Sequence, residues 1–360
     1  FIGKRKIFYI FSSIIILAGI GSLATRGLHF GVDFEGGRTY VVRFDETVDN
    51  EALRESLKDV FVDSAGLHYM PQVKTFGPEN QVKITTSFMM GNNDVTTDAL
   101  VEGRLCYGCK FLLPDSLFDE VSEISKKILS NSEEIEMAIL KDDTLAEQIA
   151  ILKKDVLANE KIIAEDKVYE QFKDKYVMSS QKVGPTIADD IKDAAVWSVF
   201  FSLLVIFLYI LVRFRKWQFS LGAVAAVFHD VLIVLSIFSV LYGVLPFSLE
   251  IDQAFIAAIL TIIGYSLNDT VVVFDRIREY MNNNKKKGVH ELINGALNST
   301  LSRTINTSLT TFCVLLIIFI FGGEVIRGFM FALMVGVVVG TYSSLFIASP
   351  IVIDTIKKKS

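Results

Sequence analysis

The stretch "IGYSLNDTVVVFDRIRE", residues 263–279, joins an apolar first half to a charged second half. Asn268 and Asp269 lie between the halves, inside an apolar run that extends from residue 253 to residue 274. A run of about 20 apolar residues is long enough to cross a bilayer as a helix. A carboxylate in hydrocarbon costs roughly 2.5–3.5 kcal/mol even on the most lenient scale, so such residues usually serve a function. The stretch therefore predicts a membrane helix that carries a functional carboxylate.

Apolar runs of this kind recur along the whole chain. Of its 360 residues 51% are hydrophobic, and the mean hydropathy is +0.43, which is too apolar for an ordinary soluble domain. The net charge of -5 gives no reason to expect a nucleic-acid partner. The sequence predicts a polytopic α-helical membrane protein whose six transmembrane helices cover residues 7–25, 193–213, 217–241, 252–274, 304–322 and 328–353.

Basic residues predict how these helices are oriented. Lysines and arginines cluster before the first helix, between the second and third, in a loop predicted at residues 275–303, and at the end of the chain. The opposite short loops carry only Arg327. Because cytoplasmic loops are enriched in basic residues, both termini and the loop 275–303 are predicted to be cytoplasmic. The long segment 26–190 then lies on the other side of the membrane.

Segment 26–190 begins like a small α+β domain. "GGRTYVVRF" predicts a turn and a strand, "DNEALRESLKDVF" a helix capped by Asp49 or Asn50, and "PQVKTFG" and "NQVKITTSF" two further strands. This β-α-β-β order predicts a ferredoxin-like, extracytoplasmic domain. A charged stretch at about 116–175 has apolar residues at helical spacing and predicts a helical insertion, either a solvated appendage or a docking surface; the appendage is favoured.

Three cysteines allow several interpretations. Cys106 and Cys109 form a single CxxC, which is compatible with a redox pair, half a metal site or a local disulfide. No second CxxC or nearby histidine completes a zinc site, so a structural pair is favoured and no metal is expected. Cys313 lies within a predicted span and is expected to be a small core residue.

Arg303 is the expected partner of Asp269. It precedes the fifth helix in "SRTINTSLTT", and Ser299, Thr307 and Thr310 share its helix face as a polar stripe. The ends of the fourth and fifth helices are adjacent, so Arg303 is expected to reach Asp269. The guanidinium would favour the ionised carboxylate and burial the protonated one, a balance suited to binding and releasing a proton. A static ion pair is the structural alternative.

A second polar site is predicted in the third helix. His229 and Asp230 interrupt its apolar sequence after several small residues, which allow helices to approach closely. Asp230 is expected either to be a second member of a proton relay or to pin a neighbouring helix, and the sequence does not decide between these roles. The candidate relay thus comprises Asp269, Arg303, Asn268 and Asp230.

Five motifs together resemble one known family. In chain order they are "GVDFEGG", "QKVGPTIADDI", "HDVLI", "IGYSLNDTVVVFDRIRE" and "NSTLSRTINTSLTT", and they extend from the first helix to the fifth. They resemble the SecF branch of the SecD/SecF protein-export family, of the resistance–nodulation–division superfamily. The matching motif positions outside the relay are Gly31, Asp33, Gly36, Gly37, Gly184 and Pro185. Because the chain starts with Phe1, it is also compatible with the SecF half of a fused SecDF.

This resemblance implies a function and partners. Members pair with SecD, or with a SecD-like half of the same chain, and act with the SecYEG channel in the bacterial cytoplasmic membrane. They use the proton gradient to promote export of unfolded polypeptides, with protons as the coupling ion and no other cofactor. In the family the aspartate of the "ND" motif and the arginine before the next span, here Asp269 and Arg303, are linked to proton conduction. The joint at Gly184 and Pro185 is a candidate hinge.

Other classes of function fit the sequence less well. A proton-driven exporter of lipids or small hydrophobic molecules usually carries two six-helix halves in one chain, whereas this chain has one. An intramembrane aspartyl protease would need paired carboxylates, but no GxGD or YD motif occurs. The sequence also departs from the family: Arg38 follows the double glycine where Thr or Ser is usual, the outer segment is longer, and "CYGC" is not a family feature.

Overall fold

The protein was described from a computed structural model that covers residues 2–62, 68–90, 95–114, 167–245, 247–283 and 288–356. It divides into two compact units. One consists of Phe1–Phe34 and Asp190–Ser360, and the other of Glu35–Asp189. The predicted insertion at 116–175 lies outside the described residues except for its last nine positions, which are helical.

The first unit is a bundle of long apolar helices. They are α1 (Arg5–Arg26), α6 (Pro185–Phe214), α7 (Trp217–Leu241), α8 (Gln253–Asn283), α9 (Val289–Phe321) and α10 (Glu324–Ser343), the last continued by a π-helical turn (Ser344–Ala348) and α11 (Ser349–Ile356). These elements give six helical spans that are long and apolar enough to cross a membrane. The predicted polytopic architecture is therefore confirmed, and α7 has the predicted bounds.

The predicted loop 275–303 is largely wrong. Helix α8 continues to Asn283 and α9 already begins at Val289, so little of the segment is left as a connection. The expected boundaries followed the limits of the apolar runs. A helix, however, continues past the hydrocarbon region where charged residues pair along it, as Arg276 does with Glu279 at 2.6 Å. The apolar pattern therefore locates the spans but not the ends of the helices.

Helices α7, α8 and α10 form the interior of the bundle, while α1, α6 and α9 are exposed along most of their length. Close packing of α10 on α8 depends on the sequence "GVVVG" at 336–340, a GxxxG pattern. A Cβ on Gly336 would overlap the side chain of Ile262, and one on Gly340 would lie 3.0 Å from the Cβ of Ser266. Glycine at both positions thus brings the two helices together at the level of the buried polar residues.

The π-helical turn interrupts the sixth span just before Pro350. Proline has no N–H and its ring opposes the carbonyl four residues earlier, so the regular hydrogen-bond pattern cannot continue. The Ser349 hydroxyl donates instead to the carbonyl of Ser344 at 3.1 Å. Such turns are often found at functional sites, and this one begins at a buried serine.

The second unit contains a four-stranded antiparallel sheet. Its strands are β1 (Gly37–Arg43), β2 (Gln72–Thr75), β3 (Gln81–Thr86) and β4 (Val177–Val183), arranged in the order β2-β3-β1-β4. A short helix, α2 (Val32–Glu35), precedes β1, and the helices α3 (Asn50–Val60), α4 (Val95–Gly108) and α5 (Lys167–Tyr176) lie in the two crossovers. This order and these directions match the predicted ferredoxin-like arrangement.

Helix α3 shows how the sequence builds this unit. Asp49 accepts from the N–H groups of Glu51 at 2.9 Å and Ala52 at 3.3 Å, as the predicted cap requires. Leu53 and Leu57, four residues apart, are fully buried and belong to the same apolar cluster as the β-strand residues. The helix therefore covers one face of the sheet and leaves its charged face to solvent.

The cysteines take two different environments. Cys106 and Cys109 are buried in the core of the α+β unit, and neither forms a disulfide. Burial, and secondly the neighbouring Cys106, raise the pKa of the Cys109 thiol well above its ordinary value, which disfavours the reactive thiolate. These features agree with a structural pair. The prediction for Cys313 is wrong, because its side chain lies exposed on α9; an apolar run alone does not show which face of a helix is covered.

Candidate functional site in the membrane helices

Asp269 lies on α8 with its side chain buried, at 5% relative exposure. Its Oδ2 accepts one long hydrogen bond, 3.4 Å from the Ser308 hydroxyl of α9, which itself accepts from Thr341 of α10 at 2.6 Å. The hydroxyl of Thr304, one turn before Ser308, is buried and has no hydrogen-bond partner among the described residues. A carboxylate can accept about four hydrogen bonds. Asp269 is therefore a buried acid with few partners, a poor environment for a permanent negative charge.

Arg303 lies on the outward side of α9. Ser299, Thr307 and Thr310 are exposed on the same side, so the predicted polar stripe exists, and Thr307 and Thr310 donate to carbonyls of their own helix. Within the described parts of α8 and α9, no hydrogen bond or ion pair joins Arg303 to Asp269. The adjacent face of α9, which carries Ser308, is turned toward the carboxylate of Asp269 instead.

Asn268 is also exposed, on α8 next to the buried Asp269. The exposed polar residues of the two helices, Asn268 of α8 and Arg303, Asn306 and Thr307 of α9, are here called the α8–α9 polar face. Polar side chains within a span usually face other protein or water rather than lipid. The four predicted relay residues thus separate into two buried acids, Asp269 and Asp230, and two exposed groups, Asn268 and Arg303.

Asp230 has a different environment from Asp269. It is fully buried on α7, and its Oδ2 accepts from Ser266 of α8 at 2.6 Å and from Ser343 of α10 at 2.8 Å. Its Oδ1 lies 3.0 Å from Nδ1 of His229. Asp230 therefore links three helices, as the pinning role requires. The two aspartates belong to separate sets of hydrogen bonds, which does not fit a catalytic dyad sharing a proton.

The sequence "TYSS" at 341–344 is the signal that sequence reasoning missed. Thr341 donates to Ser308 of α9, Tyr342 contacts Ser12 of α1 at 3.0 Å, Ser343 donates to Asp230 of α7, and Ser344 contacts Thr270 of α8 at 2.9 Å. Each of the four consecutive hydroxyls thus reaches a different helix. Four hydroxyl side chains in a row within an apolar span could have revealed this segment before the structure was known.

The family-motif residue Asp33 lies at the beginning of α8. Its Oδ2 accepts from the N–H of Gln253 at 2.9 Å, and Asp252 caps the same helix through the N–H of Phe255 at 2.7 Å. The N–H of Gly31 donates to the carbonyl of Ile251 at 2.8 Å. The first motif therefore holds the start of the helix that carries Asp269.

The remaining motif glycines lie in the second unit, just before β1 and just after β4. Gly36 and Gly37 have φ values of 73° and 149°, in the region that favours glycine, and lead directly into β1. Gly184 separates β4 from Pro185, the first residue of α6, where proline is well tolerated.

Arg38, which departs from the family pattern, is buried in the α+β unit and pairs with Asp98. Lys182 of β4 binds the same carboxylate at 2.8 Å. Burial raises the pKa of Asp98, but hydrogen bonds from Lys182 and Arg38 outweigh it and hold the pKa below its ordinary value. The larger side chain after the double glycine is therefore accommodated by an ion pair with α4.

The fold and the site define a polytopic membrane protein with an α+β unit between its first two spans and a buried acid in its fourth. The family model described as "Protein export membrane protein SecD/SecF, C-terminal" matches residues 163–358, and that of the "SecD/SecF GG Motif" matches residues 21–48. The chain belongs to the SecD/SecF protein-export family.

Similar proteins agree with this assignment. The protein translocase subunit SecF of Rhodothermus marinus is 43% identical, over 98% of this chain and 92% of that protein, and the SecF of Petrotoga mobilis is 32% identical over 100% and 96%. The crystal structure of SecDF, a translocon-associated membrane protein from Thermus, matches with a TM-score of 0.68 and 27% identity. The match covers 99% of this chain and 38% of the Thermus SecDF chain. These names favour protein export over the exporter of small molecules.

Proposed function

We propose that this chain is an accessory subunit of the Sec protein translocase that uses the proton gradient to promote protein export. The observation that carries the proposal is Asp269, a buried acid with one long hydrogen bond in an otherwise apolar span. Such a group is stable when protonated and costly when ionised, so it binds and releases a proton as its surroundings change. No cofactor other than the proton is required.

The α8–α9 polar face supports a SecD partner. Asn268, Arg303 and Thr307 would face lipid if the chain were alone in the membrane, which is unfavourable for an arginine. A second six-helix bundle, from SecD or a SecD-like half of the same chain, would cover this face and supply polar partners. The matched SecDF chain is much longer than the segment this chain matches, which leaves room there for such a bundle.

Basic residues support the proposed orientation. Both termini would be in the cytoplasm of a bacterium, and the unit Glu35–Asp189 would lie outside the cytoplasmic membrane, where exported polypeptides emerge. The Thermus neighbour is described as translocon-associated, which supports docking of this chain to the SecYEG channel. The α+β unit would then contact unfolded polypeptides on the far side.

Proton binding would act by changing how Asp269 is paired. While Asp269 is protonated, it needs only its contact with Ser308. Once it is ionised, it attracts the guanidinium of Arg303, which lies on the adjacent face of α9. One proton charge moving through 100 mV supplies about 2.3 kcal/mol, enough to shift a two-state equilibrium substantially. The resulting shift between α8 and α9 is the proposed coupling step.

Two connections would carry this shift to the outer unit. Asp33 holds the start of α8 and is followed within four residues by β1, while α6 is joined to β4 through Gly184. Gly184 has open space around its Cα, so its backbone can turn without a clash. The joint at Gly184 and Pro185 is therefore the proposed hinge.

The test is export of a secretory protein into membrane vesicles with and without an imposed proton gradient. We expect Asp269→Asn to abolish the stimulation by the gradient and Arg303→Ala to reduce it at least tenfold. Asp275→Asn is the matched control, because Asp275 lies six residues along the same helix in an ion pair with Arg213 at 2.8 Å. Wild-type stimulation with Asp269→Asn would contradict proton coupling.

A further inference from the structure

His229, which the proposed coupling step does not use, lies in a buried chain of hydrogen bonds. Its Nε2 is 2.9 Å from the hydroxyl of Ser12 on α1, and its Nδ1 is 3.0 Å from Oδ1 of Asp230. Ser12 is 3.0 Å from the hydroxyl of Tyr342 on α10, and that hydroxyl donates to the carbonyl of Phe8 at 3.0 Å. Four polar side chains thus follow one another across α1, α7 and α10.

Hydrogen counting along this chain fixes the protonation state that the geometry describes. The single hydrogen of the Tyr342 hydroxyl is used on the Phe8 carbonyl, so Ser12 must donate to Tyr342. Ser12 then accepts from His229, which requires a hydrogen on Nε2. The contact between Nδ1 and Asp230 holds one further hydrogen, as either a carboxylic acid or an imidazolium. The His229–Asp230 pair therefore carries one ionisable proton in this arrangement.

Loss of that proton forces a rearrangement. Asp230 is then a carboxylate that accepts from Nδ1–H, and Nε2 has no hydrogen left to give. Ser12 has to turn its hydroxyl toward Nε2, and its bond to Tyr342 is lost. The protonation state of the pair is thereby coupled to the contact between α1 and α10.

A cavity leads to this pair. It has a volume of about 800 Å³, is open to the outside, and is lined by residues of α1, α7 and α11 that include Tyr9, Ser12, His229 and Asp354. Trp217, at the first residue of α7, lines it as well, and at 1.5 Å per residue it lies about 18 Å along the helix from His229. Its walls are mostly apolar, but Ser13, Gln218, Asp354 and Thr355 line it together with Tyr9, Ser12 and His229, and their polar groups give water hydrogen-bond partners. Water can therefore reach His229 from the end of the bundle where α1 begins.

We propose that the His229–Asp230 pair is a second proton-binding site, separate from Asp269, which exchanges its proton with water in this cavity through Ser12. The step moves one proton from a hydronium ion to the pair and leaves one water molecule. The hydroxyls of Ser266 and Ser343 hold the carboxylate in both states. The sequence "TYSS" places this site and the Asp269 site on one helix, since Thr341 belongs to the latter and Tyr342 and Ser343 to the former.

The charged groups around the pair allow such exchange. On α7 the facing group is Asp230, and on α10 it is Tyr342, whose ring centre lies 6.0 Å from that of His229. Tyr9 and Arg5 belong to α1 near the mouth of the cavity, where Arg5 pairs with Asp354 of α11 at 3.0 Å. The charges of Arg5 and Asp354 therefore offset each other at the mouth of the cavity.

This inference rests on the proposed function for its role in coupling but not for the existence of the site. The test is ¹⁵N NMR of the histidine-labelled chain in lipid nanodiscs between about pH 5 and pH 9, which distinguishes protonated from unprotonated ring nitrogens. The chain has four histidines, so His229→Gln identifies the signals of His229. We expect Nε2 of His229 to carry a hydrogen at low pH and to lose it at high pH, where Nδ1 carries the one remaining ring hydrogen.

Variants show whether the hydrogen-bond chain sets this titration. Tyr342→Phe removes the acceptor that competes for Ser12, so the midpoint should fall by about half to one pH unit, as expected for one hydrogen bond. Ser13→Ala is the control, because Ser13 lines the same cavity without a hydrogen bond to His229. Asp269→Asn should leave the midpoint unchanged, which separates this site from the proposed coupling step. An Nε2 signal that does not change with pH, or a midpoint unaffected by Tyr342→Phe, would overturn the proposal.

Discussion

At the scale of single residues, the charges that matter most are the buried ones. Arg38 has 2% of its side chain exposed and forms its ion pair with Asp98, which Lys182 also contacts. Removing one partner of a buried pair leaves the other charge uncompensated, which costs more than the pair contributes. The pair should therefore show itself in how the stability of the protein depends on pH.

We predict that Asp98→Asn lowers the stability at pH 7 by about 1–3 kcal/mol, because Arg38 remains buried beside a neutral group. The folded pKa of Asp98 is depressed, so its contribution is complete above the unfolded value of about 3.9 and is lost as the pH falls through the folded value. Thermal unfolding of the full chain in detergent, at pH 7 and near pH 3, measures this. The difference between the two proteins should be largest at pH 7 and smaller near pH 3, below the unfolded pKa; an equal difference at both would contradict the assignment.

Sequence reasoning identified Asp269 and Asp230 because a carboxylate in an apolar run needs no structure to be noticed. It did not identify Ser308, Ser343 or Thr341, since hydroxyls are common in membrane helices and often bond to their own backbone. It also paired Asp269 with Arg303, although the facing row of α9 carries Ser308. The facing row depends on the rotation of α9, which packing sets and composition does not.

At the scale of the elements, α8 connects the features that define the site. Its first turn is held by Asp33 and Asp252, its middle packs on the glycines of α10, and Asp269 follows two turns after Ile262. The ferredoxin-like order and the six spans were predictable because alternating and helical apolar patterns are strong signals. The cap from Asp33 was not, since it joins residues more than 200 positions apart.

Removal of the Asp33 cap should weaken the start of α8. We predict that Asp33→Ala lowers the stability by about 0.5–2 kcal/mol, the usual effect of losing such a cap, while Asp33→Asn retains an oxygen acceptor and most of the stability. Thermal unfolding in detergent gives both values, and gradient-stimulated export should fall in the same order. Equal effects of alanine and asparagine would show that the carboxylate charge, rather than the cap, is what matters.

At the scale of the whole molecule, the uneven burial of the helices fits the proposed pairing with SecD. Just over half of the most apolar window of the sixth span is buried, whereas α9, with the polar stripe around Arg303, is exposed along most of its length. A subunit of a larger membrane complex would show this asymmetry, with the α8–α9 polar face directed to its partner. Cys313 lies exposed on α9, so its rate of labelling reports whether the α8–α9 polar face is covered by a partner.

Cys313 should react with a membrane-permeant maleimide when the chain is alone and become at least several-fold slower when SecD is present. Cys106 and Cys109 are buried in the α+β unit and serve as an internal control that should stay unlabelled in both states. Mass spectrometry of the labelled peptides gives the rates. Equal labelling of Cys313 with and without SecD would place the partner on another face.

The proposed function depends most on proton transfer by Asp269. Proton flux across a membrane measures that step without any exported protein. The chain is reconstituted with SecD in liposomes that contain a pH-sensitive dye, and a proton gradient is imposed. We predict flux above that of empty liposomes for the wild type and for the Asp275→Asn control, and the level of empty liposomes for Asp269→Asn. Flux in Asp269→Asn equal to that of the wild type would contradict the account.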